Sequence, residues 1–185
     1  MHYIRFLKPP RVLKGSKLVV KAKVTMTTDL GESFLWDTVD LLVELRDGNG
    51  SVVGNGKAFT WKGSDGMRSL EVDVQITESK HQDLRDGLRM LVRPKDEGSS
   101  VATFEAVLRA EDVGRIVPVT SWEIEVNPQK ASQQDIIPMA ERIFNVERTK
   151  LCIWEETGES IARHIWYAPL ACFQVCKRPS TQLML

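Results

Sequence analysis

Between Lys17 and Val126 apolar residues fall again and again at every second position, and that period admits few folds. KLVVKAKVTMTT (17–28) sets Leu18, Val20, Ala22, Val24 and Met26 on one side and Lys, Val and Thr on the other. SLEVDVQI (69–76) alternates Leu70, Val72, Val74 and Ile76 with Glu71, Asp73 and Gln75. Side chains of an extended chain point to opposite faces in turn, so each stretch predicts a strand buried on one face. DLLVELRD (40–47) runs into the turn signal DGNG (47–50), and SVVGNGKAFTW (51–61) follows, which predicts a hairpin. Further strands are expected at LRMLVRP (88–94), VATFEAVLRA (101–110) and VPVTSWEIEV (117–126). In the last of these, Trp122, Ile124 and Val126 share a face opposite Glu123 and Glu125. About six to eight short strands with turn signals roughly every ten residues predict an antiparallel β-sandwich over residues 1–128.

Charge and composition narrow the function classes. In 185 residues, 25 Lys and Arg balance 25 Asp and Glu, so no global field draws nucleic acid or an anionic membrane. Lys14, Lys17, Lys21 and Lys23 alternate with apolar residues and read as the solvated face of a strand. The start, MHYIRFLKPPRV, carries no signal-peptide core, and no stretch of about twenty apolar residues occurs. A cytoplasmic protein, with the nucleus as a second compartment, is the expectation. Cys152, Cys172 and Cys176 make an odd, clustered set that suits a reducing compartment. With His164 as their only neighbouring His, they fall short of a closed zinc site, so no metal is expected.

The pattern changes after Val126. Residues 129–148 read as a linker and a helix, with Ile136, Ile137, Ala140, Ile143 and Phe144 on one stripe and Pro138 in the first turn. TKLCIWEE (149–156) reads as a strand and ESIARHIW (159–166) as a helix. The glycines of DGNGSVVGNG (47–56) precede no helix and are hairpin turns rather than a phosphate cradle. No nucleophile elbow surrounds any Ser or Cys, and His2, His81 and His164 lack a triad context. Trp36, Phe59, Trp61, Phe104 and Trp122 fall on expected strands and read as packing residues.

One ordered string carries chemistry. In IWEETGESIARHIW (153–166), Glu155 or Glu156, Gly158, Ser160, His164, Ile165 and Trp166 follow one another. This string resembles the opening of the methyltransferase-like family of protein methyltransferases, fungal members in particular. They belong to the seven-stranded, Rossmann-like class that uses S-adenosylmethionine. The resemblance implies that residues 149–185 begin a methyltransferase domain acting on protein lysine. It further implies that Trp166, Glu155 and Glu156 contribute to the cofactor-side rim. The family's next elements, a strand and a G-x-G-x-G turn, are missing from YAPLACFQVCKRPSTQLML (167–185). Trp166-Tyr167-Ala168 requires codons containing GTAYG, a fungal-type intron start, so translated intron is expected from about Tyr167. The chain alone is then an incomplete Rossmann-like domain behind a sandwich, inactive and without bound S-adenosylmethionine. The alternative is a non-catalytic β-sandwich module that binds a protein partner, with neither nucleic acid nor membrane expected.

Overall fold

A computed structural model describes residues 1–14, 18–28, 31–53, 55–76, 87–109, 115–126, 139–157 and 174–175. The period-two stretches are strands, and the protein is mainly β with two sheets. In chain order the strands are β1 (His2–Lys14), β2 (Leu18–Thr27), β3 (Thr38–Arg46), β4 (Lys57–Lys62), β5 (Leu70–Gln75) and β6 (Arg89–Pro94). A short helix, α1 (Phe104–Arg109), precedes β7 (Ile116–Val117), β8 (Val119–Ser121), β9 (Met139–Val146), β10 (Thr149–Glu156) and β11 (Gln174–Val175). One sheet has the order β5-β2-β1-β7, the other β11-β10-β9-β8-β6-β3-β4. Pairing is antiparallel except between β1 and β7, where His2 and Tyr3 run parallel to Ile116 and Val117.

The alternating side chains meet where the sequence points them. Val20, Ala22, Val24 and Met26 of β2 and Val72 and Val74 of β5 join Leu41, Val43 and Leu45 of β3 and Met90 and Val92 of β6 in one core. Burial of each large apolar side chain contributes about 1.5–3 kcal/mol, so this shared core is the main term holding the two sheets together. The hairpin expected around DGNG is present: β3 pairs with β4, Val39 opposite Trp61. Asp47 Oδ1 accepts from the Asn49 and Ser51 amides at 2.9 and 2.8 Å, an Asx turn that lets Gly50 take φ 85°.

Elsewhere the chain departs from the reading by pattern. β1 is not among the strands that the alternation predicts, and it contains Pro9-Pro10, which cannot donate to a ladder. The ladder to β2 absorbs the prolines through register shifts between Phe6 and Lys8 and between Lys8 and Arg11. VATFEAVLRA does not form a strand; its centre is α1, with the Thr103 hydroxyl accepting from the Ala106 amide at 3.3 Å. Phe104 and Val107, three apart, then pack on a second apolar cluster with Val101, Val117, Phe144 and Leu151. The helix expected within 129–148 is, from Met139 to Val146, strand β9. Its Ala140, Arg142 and Phe144 are buried while Ile143 is 41 % exposed, a period of two that the helical stripe conceals. A tight turn at Glu147-Arg148, with Glu147 at φ 49°, returns the chain into β10. β9 pairs with β8, so the seven-stranded sheet continues past the position where the sequence pattern changes. The helix expected at 159–166 lies outside the described residues.

Trp61 is fully buried and its indole Nε1 donates to the Leu35 carbonyl at 2.8 Å. A Cβ on Gly63 would sit 2.0 Å from that same oxygen and 2.6 Å from the Trp36 carbonyl carbon. Held by the indole, the Leu35 carbonyl cannot retreat without breaking a buried hydrogen bond. Gly63→Ala is therefore expected to lower stability by at least about 2 kcal/mol, read as a shift in the urea unfolding midpoint.

Candidate interaction surface

The β9–β10 hairpin presents two faces of opposite character. Alternation puts Arg142 and Glu155 on one face and Glu141 and Trp154 on the other, where Glu141 is itself buried beneath its neighbours and Trp154 is exposed. Arg142, 1 % exposed, lies between Ala140 of the main core and Phe144 of the second cluster. A charge in that position needs every contact it can find. Its Nη2 donates to the Ile4 carbonyl at 2.8 Å and to Glu155 Oε1 at 2.5 Å, and its Nη1 to the Pro118 carbonyl at 2.8 Å. Arg5 Nη1 reaches Glu155 Oε2 at 3.4 Å. The Tyr3 ring lies 5.3 Å from the Arg5 guanidinium carbon and 5.2 Å from that of Arg142, adding cation–π attraction. The knot joins β1, the β7–β8 junction, β9 and β10, and so ties the two sheets together.

The outer face is aromatic. Trp154, 38 % exposed, meets Trp122 edge to face with ring centroids 6.0 Å apart. Arg89 from β6 lies over Trp122, its Cζ 5.9 Å from the ring centroid. Glu141 organises the group: one oxygen accepts from Arg89 at 2.8 Å, the other from the Trp154 indole at 3.4 Å. Glu123 stands 3.7 Å from the other end of Arg89. Ile143, two positions beyond Glu141 along β9, extends the apolar surface. Pattern reading placed Trp122 beside Ile124 and Val126. Instead, regular pairing stops at Ser121, Ile124 is buried, and Trp122 turns outward to Trp154. Ser121 marks the break, because its hydroxyl caps the Met90 amide and donates to the Trp122 carbonyl.

Enzyme-like features are weaker than this surface. A broad depression of about 560 Å³ opens by Asp40, Lys95, Asp96 and Ser99. Its carboxylates are already engaged, Asp40 by the Thr60 hydroxyl and Asp96 by Ser99 and the Gly98 amide. Those bonds, the Ser99 hydroxyl first, hold the Asp96 carboxyl below its ordinary range. Among the described residues no group of three His, Cys, Asp or Glu could hold a metal ion. Nor, among them, is any helix long and apolar enough to cross a membrane.

Of the residues expected at a cofactor rim, Trp166 lies outside the described residues, as do Gly158, Ser160, His164, Cys172 and Cys176. Glu156 ends β10. Glu155 meets an arrangement other than the expected one: it points into the core, 5 % exposed, with both oxygens engaged by arginines. Hydroxyl recognition by that carboxylate would require opening the knot. Trp154 was passed over, although the alternation of TKLCIWEE already sets it opposite Glu155. No family model, no curated protein and no solved structure matches this chain.

Removing one member of the knot leaves a buried charge uncompensated. Glu155→Gln is expected to cost about 3–5 kcal/mol in urea unfolding, whereas removing all three charges together, Arg5→Met, Arg142→Met and Glu155→Leu, recovers most of that loss. Equal losses in the single and triple variants would show that packing, not charge balance, dominates here.

Proposed function

We propose that the chain is a non-catalytic β-sandwich module that binds a protein partner through the outer face of β8, β9 and β10. The observation that carries this reading is the Trp122–Trp154 pair on an open sheet face, held by Arg89 and Glu141. Trp and Arg are the residues that most often anchor protein interfaces, because a rigid, amphipathic side chain gains much contact for little lost entropy. Ion pairs from Glu141 and Glu123 keep Arg89 in place before a partner arrives, which lowers the ordering cost of association. Trp36, though 62 % exposed, stands alone in a loop, whereas Trp154 has Trp122 and Ile143 beside it. A contiguous apolar patch, not an isolated side chain, marks a binding face.

Peptides selected from a random display library on the wild-type chain are the test. Trp154→Ala is expected to weaken the selected binders by about thirtyfold, a hot-spot loss of about 2 kcal/mol. Binders that hold equally well to the variant would exclude this face.

The second reading keeps residues 149–185 as the opening of an S-adenosylmethionine-dependent protein methyltransferase. Its support is the ordered string ending at Trp166, together with a strand that closes on Glu155 and Glu156 as the resemblance expects. On that reading the chain as it stands still lacks the glycine-rich cofactor turn. Titration calorimetry with S-adenosylmethionine is expected to give no binding heat, and micromolar affinity would favour a working cofactor site instead.

A further inference from the structure

The outer face of the four-stranded sheet carries cations set against cations. In the β1–β2 ladder Lys8 lies directly opposite Lys23, and Arg11 directly opposite Lys21. Residues paired in this way project from the same face with Cβ atoms about 5 Å apart, and like charges so placed are destabilising. Lys8, Arg11 and Lys21 are exposed and Lys23 is half-buried. None of them forms an ion pair among the described residues.

The arginines of β3 and β6 are placed differently. On the seven-stranded sheet Arg46 pairs with Glu44, Arg89 with Glu141 and Glu123, and Arg93 with Glu44. On β1 itself Arg5, the next cation along from Lys8, meets Glu155. Asp73 faces Lys21 across the β2–β5 ladder, yet its carboxylate is taken by Lys57 of β4 at 2.8 Å. Glu71 likewise lies opposite Lys23, so β5 carboxylates flank the two β2 lysines on one side, while Lys8 and Arg11 of β1 meet only cations across the β1–β2 ladder.

We propose that the β1–β2 face formed by Lys8, Arg11, Lys21 and Lys23 binds a short, extended acidic segment of a protein partner. Alternate side chains of an extended peptide recur about every 6.6–6.8 Å, the same interval that separates Lys21 from Lys23 along β2, so successive acidic positions match successive cationic rows. The dimensions of the patch select against longer polyanions. It is two strands wide, and Glu71 and Asp73 of β5 border it directly, opposite Lys23 and Lys21. A nucleic-acid backbone or an anionic membrane would extend over those carboxylates, whereas a peptide confined to β1 and β2 avoids them. Single-stranded nucleic acid also needs aromatic faces for its bases, and these rows carry only aliphatic and charged side chains. Past Arg11 the next row on this face is Leu13, 46 % exposed, opposite Val19, an apolar foothold beside the charges. The fitting ligand therefore combines alternating Glu or Asp with one apolar residue at its end.

The experiment uses a fluorescein-labelled peptide of alternating Glu and Ser ending in Leu, titrated with the full chain and read by fluorescence anisotropy. Saturable binding that weakens with added salt is expected. Lys8→Glu with Arg11→Glu should reduce affinity at least about tenfold while leaving the melting temperature unchanged or higher, because both substitutions convert repulsive cross-strand pairs into attractive ones. A second pair, Lys21→Gln with Lys23→Gln, should weaken binding without introducing new charge pairs, and Lys62→Glu on β4 should have no effect. Trp154→Ala should also leave peptide affinity unaltered, which separates this face from the aromatic one. Absence of saturable binding, or equal affinity in the Lys8 and Arg11 double variant, overturns the proposal. So does tighter binding to phosphatidylserine vesicles or to single-stranded DNA than to the peptide.

Discussion

The Arg142–Glu155–Arg5 knot is the constraint around which the rest of the molecule is arranged. Among the described residues Arg142 is the only charged one of the largest fully buried side chains, and it sits between two apolar clusters. A buried guanidinium is tolerated when carbonyls and a carboxylate surround it in fixed geometry. Here those groups come from parts of the chain far apart in sequence: Ile4, Pro118, Glu155 and, through the shared carboxylate, Arg5. Correct closure of the knot thus demands that β1, the β7–β8 junction and the β9–β10 hairpin all be in register at once. Hydrophobic burial supplies most of the free energy, and the ion cluster adds a directional requirement that apolar contact lacks.

From that alignment follows the division of the surface. With Glu155 turned inward, strand alternation forces Trp154 outward, where it finds Trp122, Arg89 and Glu141. With Arg5 satisfied by Glu155 at one end of β1, the cations farther along the strand have no comparable carboxylate and remain open to solvent. The molecule therefore offers an aromatic face with its charges paired and a basic face on which Lys8 and Arg11 lie opposite other cations. On the proposals made above, each of these surfaces, on different sheets, takes a protein partner.

Legibility in the sequence varied with how local the deciding interaction is. β2, β5 and β6 were plain, since each alternates apolar core residues over most of its length. The β3–β4 hairpin was equally plain, because Asp47, Asn49 and Gly50 settle their turn among themselves. β9 misled, for Ile136, Ile137, Ala140, Ile143 and Phe144 satisfy a helical stripe, and only the ladders to β8 and β10 choose the strand. α1 misled in the opposite sense: a β-rich composition hides a Thr103 cap and an apolar spacing of three. The aromatic site was half visible, with Trp154 opposite Glu155 by parity, while Trp122 reaches it only because β8 breaks its alternation after Ser121.

By itself the sequence determined that this protein is mainly β, where most strands run, and which of their side chains enter the core, because period-two alternation is a property of the extended backbone alone. Tertiary structure decided what the charged and aromatic residues do. That Glu155 meets arginines, and that Lys21 lies between Arg11 of β1 and Asp73 of β5, depends on which strands lie alongside. That choice is made by pairing between segments tens of residues apart, and no local pattern encodes it.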